Sequence, residues 1–205
     1  MADYITATNF KTRHGITVAT NDARIAAHVT AGSREADSMC FRSFEQHSGA
    51  ATVRYFQPLN CETVFIDDAY EITSVEVDSG NAGTYATTWA TTDYMAEPLN
   101  GVGPNGQTGW PTYKLVSYGT RSFPTGYRRP AVKVTAKWGW AATPTDVIEA
   151  TYLLAHRLYY EVAVPSGVVA AGAEFGLPGV GLQRPYTVER LLRPYVRTDR
   201  SFGIA

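Results

Sequence analysis

The side chains of this 205-residue chain with the means to do chemistry are the adjacent carboxylates Asp67 and Asp68, four scattered histidines and a C-terminal run of arginines. Two neighbouring carboxylates suggest a cation site or an acid–base pair, since a hard cation wants several oxygens converging on one point. On a strand, however, neighbours point to opposite faces, and no His or Glu stands at supporting spacing. Asp67 and Asp68 therefore read as two solvated acids at a strand-end turn, with no metal. His14, His28, His47 and His156 have no Cys or carboxylate at ligand spacing, and no serine sits in a Gly-x-Ser-x-Gly elbow. Members of a catalytic triad meet only in space, so a triad simply has no local support. His156 lies beside the apolar stripe of a long helical segment and is expected to be a hydrogen-bonded boundary residue.

The glycine-rich stretches Gly101–Gly106 and Gly176–Gly181 lack the Lys-Ser/Thr ending that grips phosphate and do not run from a strand directly into a helix. They read as flexible loops, and no cofactor is implied. Cys40 and Cys61 have no CxxC partner and read as reduced structural thiols. Arg128, Arg129 and the arginines near the C-terminus suit phosphate, but no recognition-helix motif accompanies them, and a basic surface meeting an acidic protein is the favoured reading.

The elements that position these groups fall into two kinds. Thr6 caps a short helix to Arg13 that Gly15 closes, and a second helix runs from about Asn21 to Met39, its middle weakened by Gly32 and Ser33. After Gln46 the period changes to two. Thr52–Gln57, Glu62–Ile66, Glu71–Asp78, Thr84–Thr88, Tyr113–Tyr118 and Ala131–Lys137 read as strands, with a hairpin tip at Ser79-Gly80-Asn81 and a turn at Trp138-Gly139-Trp140. Thr143 as N-cap and Pro144 at the first helical position open a long helix over Thr145–Val162, and a last helix covers Thr187–Val196. The fold class is α+β: a small helical core from residues 1–48 and 140–205, with a β-rich insertion over residues 49–139.

Composition agrees with a folded body: 44% hydrophobic, 12% aromatic and only 18% charged, with a net charge of −1. That net value hides a split. Between Tyr55 and Tyr113 there are eight acidic residues and no Lys or Arg, whereas from Lys114 onward there are twelve basic residues against six acidic. Such asymmetry suggests that copies attract one another electrostatically, in which case assembly weakens as salt rises. No basic n-region precedes an apolar run and no segment approaches the ~20 apolar residues that span a bilayer, so a cytosol-like site of synthesis without a membrane is expected.

In their order, several motifs resemble the head-to-tail connector, or adaptor, proteins of long-tailed bacteriophages. They are Asp22 with Ile25-Ala26-Ala27, Arg42-Ser43-Phe44, Ile66-Asp67-Asp68, and Asp93-Tyr94-Met95-Ala96-Glu97-Pro98-Leu99-Asn100. Later come Val132–Trp140, Pro144-Thr145-Asp146-Val147, Leu153–Tyr159, Pro165-Ser166-Gly167-Val168 and Leu191-Leu192-Arg193-Pro194-Tyr195. The resemblance implies a non-enzymatic virion protein, assembled in the host cytoplasm as a ring, generally twelve-membered, between portal and tail. Its partners would be further copies of itself, the portal protein, the next neck or tail protein, and double-stranded DNA passing through the lumen. Arg184, Arg190, Arg193, Arg197 and Arg200, with Asp67 and Asp68, are the candidate partner-interface residues. Within the same class stand a stopper or tail terminator. From another class stands a β-rich binding module or hydrolase in which Asp67, Asp68 or Asp93 converge in a pocket.

Overall fold

A computed structural model of the chain describes residues 2–17, 21–47, 49–104, 106–161 and 186–197. Their contacts divide the chain into two units, one of residues 43–142 and one of residues 2–42 with 143–205. Among the described residues there are four α-helices and a six-stranded antiparallel sheet, a mixed α+β fold with its strands between the helices in sequence. No helix among them is long and apolar enough to cross a membrane.

In the helical unit, α1 spans Ala7–His14, α2 Asp22–Cys40, α3 Thr145–Glu161 and α4 Tyr186–Leu192, the last continuing as a 3-10 turn over Arg193–Tyr195. The Thr6 hydroxyl accepts a bond from the Asn9 amide, and Gly15 ends α1 at φ 65°. Both ends of α1 thus follow from the residues that occupy them. Ile25, Val29, Gly32, Ser33, Ala36 and Cys40 are the buried side of α2. Gly32 is a contact rather than a weakness, because a Cβ there would lie 2.9 Å from the Ala155 backbone nitrogen of α3. Ser33 is also buried. Its hydroxyl donates to the Val29 carbonyl at 2.9 Å and accepts from the Tyr4 amide at 3.2 Å, which ties the N-terminal segment to α2. Ile5, Phe10, Ile25, Val29, Ala155 and Tyr159 form an apolar cluster.

The sheet unit contains β1 (Thr52–Phe56), β2 (Thr63–Val77), β3 (Thr87–Trp89), β4 (Tyr94–Glu97), β5 (Thr112–Ser117) and β6 (Val132–Trp138). The order is β1-β6-β2-β5-β4, with β3 beside the end of β2. One face carries Val64, Ile66, Val75, Val77, Leu115, Val132, Val134 and Ala136, and it closes over Trp89, Phe123 and Trp138. The unit begins at Ser43 because Gln46 bridges to Gly139 and Phe44 packs on Trp140, ring centres 5.3 Å apart.

Three sequence expectations are corrected here. The two strands read on either side of Asp67-Asp68 are one 15-residue strand, β2, bent by register shifts between Phe65 and Ala69 and between Ala69 and Ser74. A bulged strand loses the strict alternation by which a strand is recognised. Gly101–Gly106 is not an open loop. The Gly103 amide donates to the Gln107 carbonyl at 2.8 Å, and the Trp110 indole occupies the space where a side chain at Gly103 would stand. Trp138-Gly139-Trp140 is the end of β6 continued by a bridge, not a free turn.

Candidate functional site

The charge split along the sequence is resolved by the sheet. Antiparallel register sets Glu71 opposite Lys137, Glu76 opposite Lys133 and Glu97 opposite Lys114. Each pair is closed by an ion pair, at 2.7, 2.7 and 2.9 Å. Asp93 faces Arg121 at 3.4 Å, and Asp67 faces Arg54 at 2.7 Å. The acidic centre is thus matched within the chain by the basic residues that follow or precede it. Opposite charges across strands contribute only a few tenths to about 1 kcal/mol each, but they leave few carboxylates for another copy to attract.

Asp67 and Asp68 are not solvated turn residues. They lie inside β2, Asp67 half-buried and Asp68 buried. Asp68, 7% exposed, accepts a hydrogen bond from the Trp140 indole nitrogen at 3.3 Å. Asp67 takes the Arg54 guanidinium, which also stacks over the Trp138 ring at 4.7 Å. Asp93 accepts the Ala90 amide at 3.0 Å in the β3–β4 turn. The three carboxylates of the hydrolase reading are each committed to a different partner. No group of three or more His, Cys, Asp or Glu able to hold a metal occurs among the described residues.

Of the arginines, Arg190 and Arg193 are exposed and line a groove of about 320 Å³ with Met39, Tyr186, Leu192 and Val196. Tyr186 is 76% exposed there. Arg197 is 2% exposed, and its amide donates to the Cys40 carbonyl at 3.0 Å. Arg184, Arg200 and the Gly176–Gly181 stretch lie outside the described residues. Cys40 is buried, with burial pushing its thiol up to about 12, whereas Cys61 is exposed rather than structural.

The histidines form no catalytic constellation but do gather. His14 lies between Phe10 and His156 in tilted ring contacts, ring centres 4.5 Å from each, and His156 in turn lies 4.5 Å from Tyr160. Nε2 of His14 and of His28 is buried without a hydrogen-bond partner among the described residues. Burial lowers the His14 pKa below 6.5, with His156 and then Arg13 adding to it, and burial followed by Arg24 lowers that of His28. The unfolded rings take up protons first, so this contribution to stability is complete above about 6.5 and is lost as pH falls towards the lowered folded values. Far-ultraviolet circular dichroism melts should show the helical unit weakening between about pH 7.5 and about pH 5.5. His14→Gln should flatten that slope; an unchanged slope would assign the acid response elsewhere.

No family model matches the chain, and no curated protein matches it significantly. Solved structures do. The fold is similar to that of a chain in the neck of an empty GTA particle computed with C6 symmetry, at 15% identity over 98% of this chain and 92% of that chain, with a TM-score of 0.54. It is similar also to a chain in the neck of a native GTA particle computed with C12 symmetry, at 16% identity over 96% of this chain and 90% of that one, TM-score 0.52.

Proposed function

We propose that the chain is a non-catalytic structural protein of a virion or phage-like particle, located in its neck, and that its role there is that of the head-to-tail connector. The observation that carries this reading is the likeness of fold over nearly the full length of both chains to a neck component of a GTA, a phage-like gene transfer agent. The connector motifs in their order narrow the neck reading to the adaptor beneath the portal. On this reading residues 1–48 and 140–205 are the connector core and residues 49–139 its insertion. A ring of a dozen copies, matching the C12 symmetry of that neck, joins portal to tail and lets DNA through its lumen.

A cyclic ring uses two different surfaces of each copy. The open sheet supplies two edges, β1 with Val53 and Tyr55 exposed and β4 with Met95 exposed. Unpaired strand edges are ready templates for another chain. With the acids of the sheet already paired, lateral contacts of this kind are apolar and main-chain in character. Native mass measurement with negative-stain imaging should therefore show closed rings that persist from low to moderate salt. Rings that fall apart as salt rises would restore charge attraction between copies. A chain that stays monomeric at every concentration, with and without purified portal protein, would remove the ring.

A further inference from the structure

The sheet unit has seven basic residues, and Arg54, Lys114, Arg121, Lys133 and Lys137 are each ion-paired. Arg128 and Arg129 are the exceptions: both are exposed, and neither forms an ion pair among the described residues. They sit on a loop that is braced rather than loose. The Tyr127 hydroxyl donates to the Ser79 carbonyl at 2.8 Å and the Tyr85 hydroxyl to the Pro130 carbonyl at 2.7 Å. Tyr55, 54% exposed, lies against Tyr85 with ring centres 5.3 Å apart. The Arg129 guanidinium lies by Gly83, 3.3 Å from where a Cβ there would stand. The facing loop is held from within, because the Asp78 carboxylate accepts the amides of Gly80, Ala82 and Gly83 at 3.1, 3.2 and 2.7 Å. Asp78 is itself 3% exposed and spends its carboxylate on these amides.

We propose that the Arg128–Arg129 loop, with Tyr85 and Tyr127, is a contact surface for the phosphate backbone of duplex DNA, used without reading sequence. Two exposed guanidinium forks on a braced loop suit phosphate oxygens, and a loop already ordered loses little entropy on contact. The sheet unit of a second copy is a poor match for them. In the sheet unit Asp67, Glu71, Glu76, Asp93 and Glu97 are ion-paired, Asp68 and Asp78 are buried and Glu45 is half-buried, which leaves Glu62 as the exposed acid without such a partner. An external polyanion fits better, and the choice of duplex DNA among polyanions rests on the neck reading above.

Fluorescence anisotropy of a labelled mixed-sequence duplex with the full chain tests this. Wild type should bind at low salt, and Arg128→Ala with Arg129→Ala should bind at least about tenfold more weakly, with the salt slope reduced by about 2. Arg128→Lys with Arg129→Lys, which keeps the charge, should retain most of the binding, and tryptophan fluorescence verifies that each variant is folded. No binding by wild type, or equal binding by the alanine variant, overturns the proposal. Preference for polyglutamate over the duplex also overturns it, giving the surface to an acidic protein. Native mass of the same samples separates the two readings: rings that form without binding DNA sink this proposal alone, and DNA binding by a chain that never forms rings counts against the connector alone.

Discussion

Gly139→Ala should leave the sheet unit largely unfolded. Gly139 has φ 94°, and a Cβ there would stand 2.0 Å from the Glu45 carbonyl oxygen and 2.8 Å from His47 Nδ1. The first of these is backbone, so no side-chain rotation relieves it. Accommodating the methyl means expelling the segment that carries Glu45 and His47. That breaks the bonds from the Trp140 amide to the Glu45 carbonyl, 3.2 Å, and from the His47 amide to the Trp138 carbonyl, 3.1 Å. It also uncovers Trp140, which packs against Phe44 and, edge to face at 5.2 Å, against Trp110. Backbone strain of about 1–3 kcal/mol and lost aromatic packing of about 3–5 kcal/mol together approach the whole stability of a small domain. All four tryptophans lie in this unit, at positions 89, 110, 138 and 140, so their fluorescence follows it separately from the helices. A urea midpoint by fluorescence equal to that of wild type would refute the packing described for Gly139.

Gly32→Ala sets two physical effects against each other, and the sign of the result decides between them. Within a solvent-exposed helix the change gains about 1 kcal/mol, because alanine has the better helical propensity. Here the new Cβ would lie 2.9 Å from the Ala155 nitrogen and 3.3 Å from its Cα and Cβ. Pushing α2 from α3 at this contact costs about 1–3 kcal/mol, as overpacking generally does. The packing term is the larger, so the helical unit should melt at a lower temperature, and Gly32→Val should lower it further. Far-ultraviolet circular dichroism measures both. A raised melting temperature for the alanine variant would mean that α2 and α3 are not in contact at Gly32.

Features set by neighbours in sequence were legible, and features set by distant partners were not. Thr6 and Gly15 announce both ends of α1 because a cap is satisfied within one turn: the Asn9 amide reaches Thr6 Oγ1 at 3.1 Å. The helix-strand-helix order and the α+β class follow from periodicity in the same local way. Gly32 read as a weak point because Ala155, which explains it, stands far along the chain. The same holds for Asp68, whose partner Trp140 is 72 residues away. β4 lies outside the strands that the sequence pattern predicts: Tyr94–Glu97 is four residues long and becomes one by pairing with β5. The charge split was plain in the sequence, but its meaning lay in the register that sets Glu71 and Glu76 against Lys137 and Lys133. For Arg128 and Arg129 the sequence favours a basic surface meeting an acidic protein over phosphate contact. Their distinction, that the other basic residues of their unit are paired, needs the fold.

The measurement that bears most directly on the neck assignment is the position of this chain in intact particles, read by gold-labelled antibody against it and electron microscopy. The account predicts label confined to the junction of head and tail, and heads without attached tails when the gene is deleted. Label distributed over the head shell or along the tail, or tailed particles assembled normally without the chain, would contradict it.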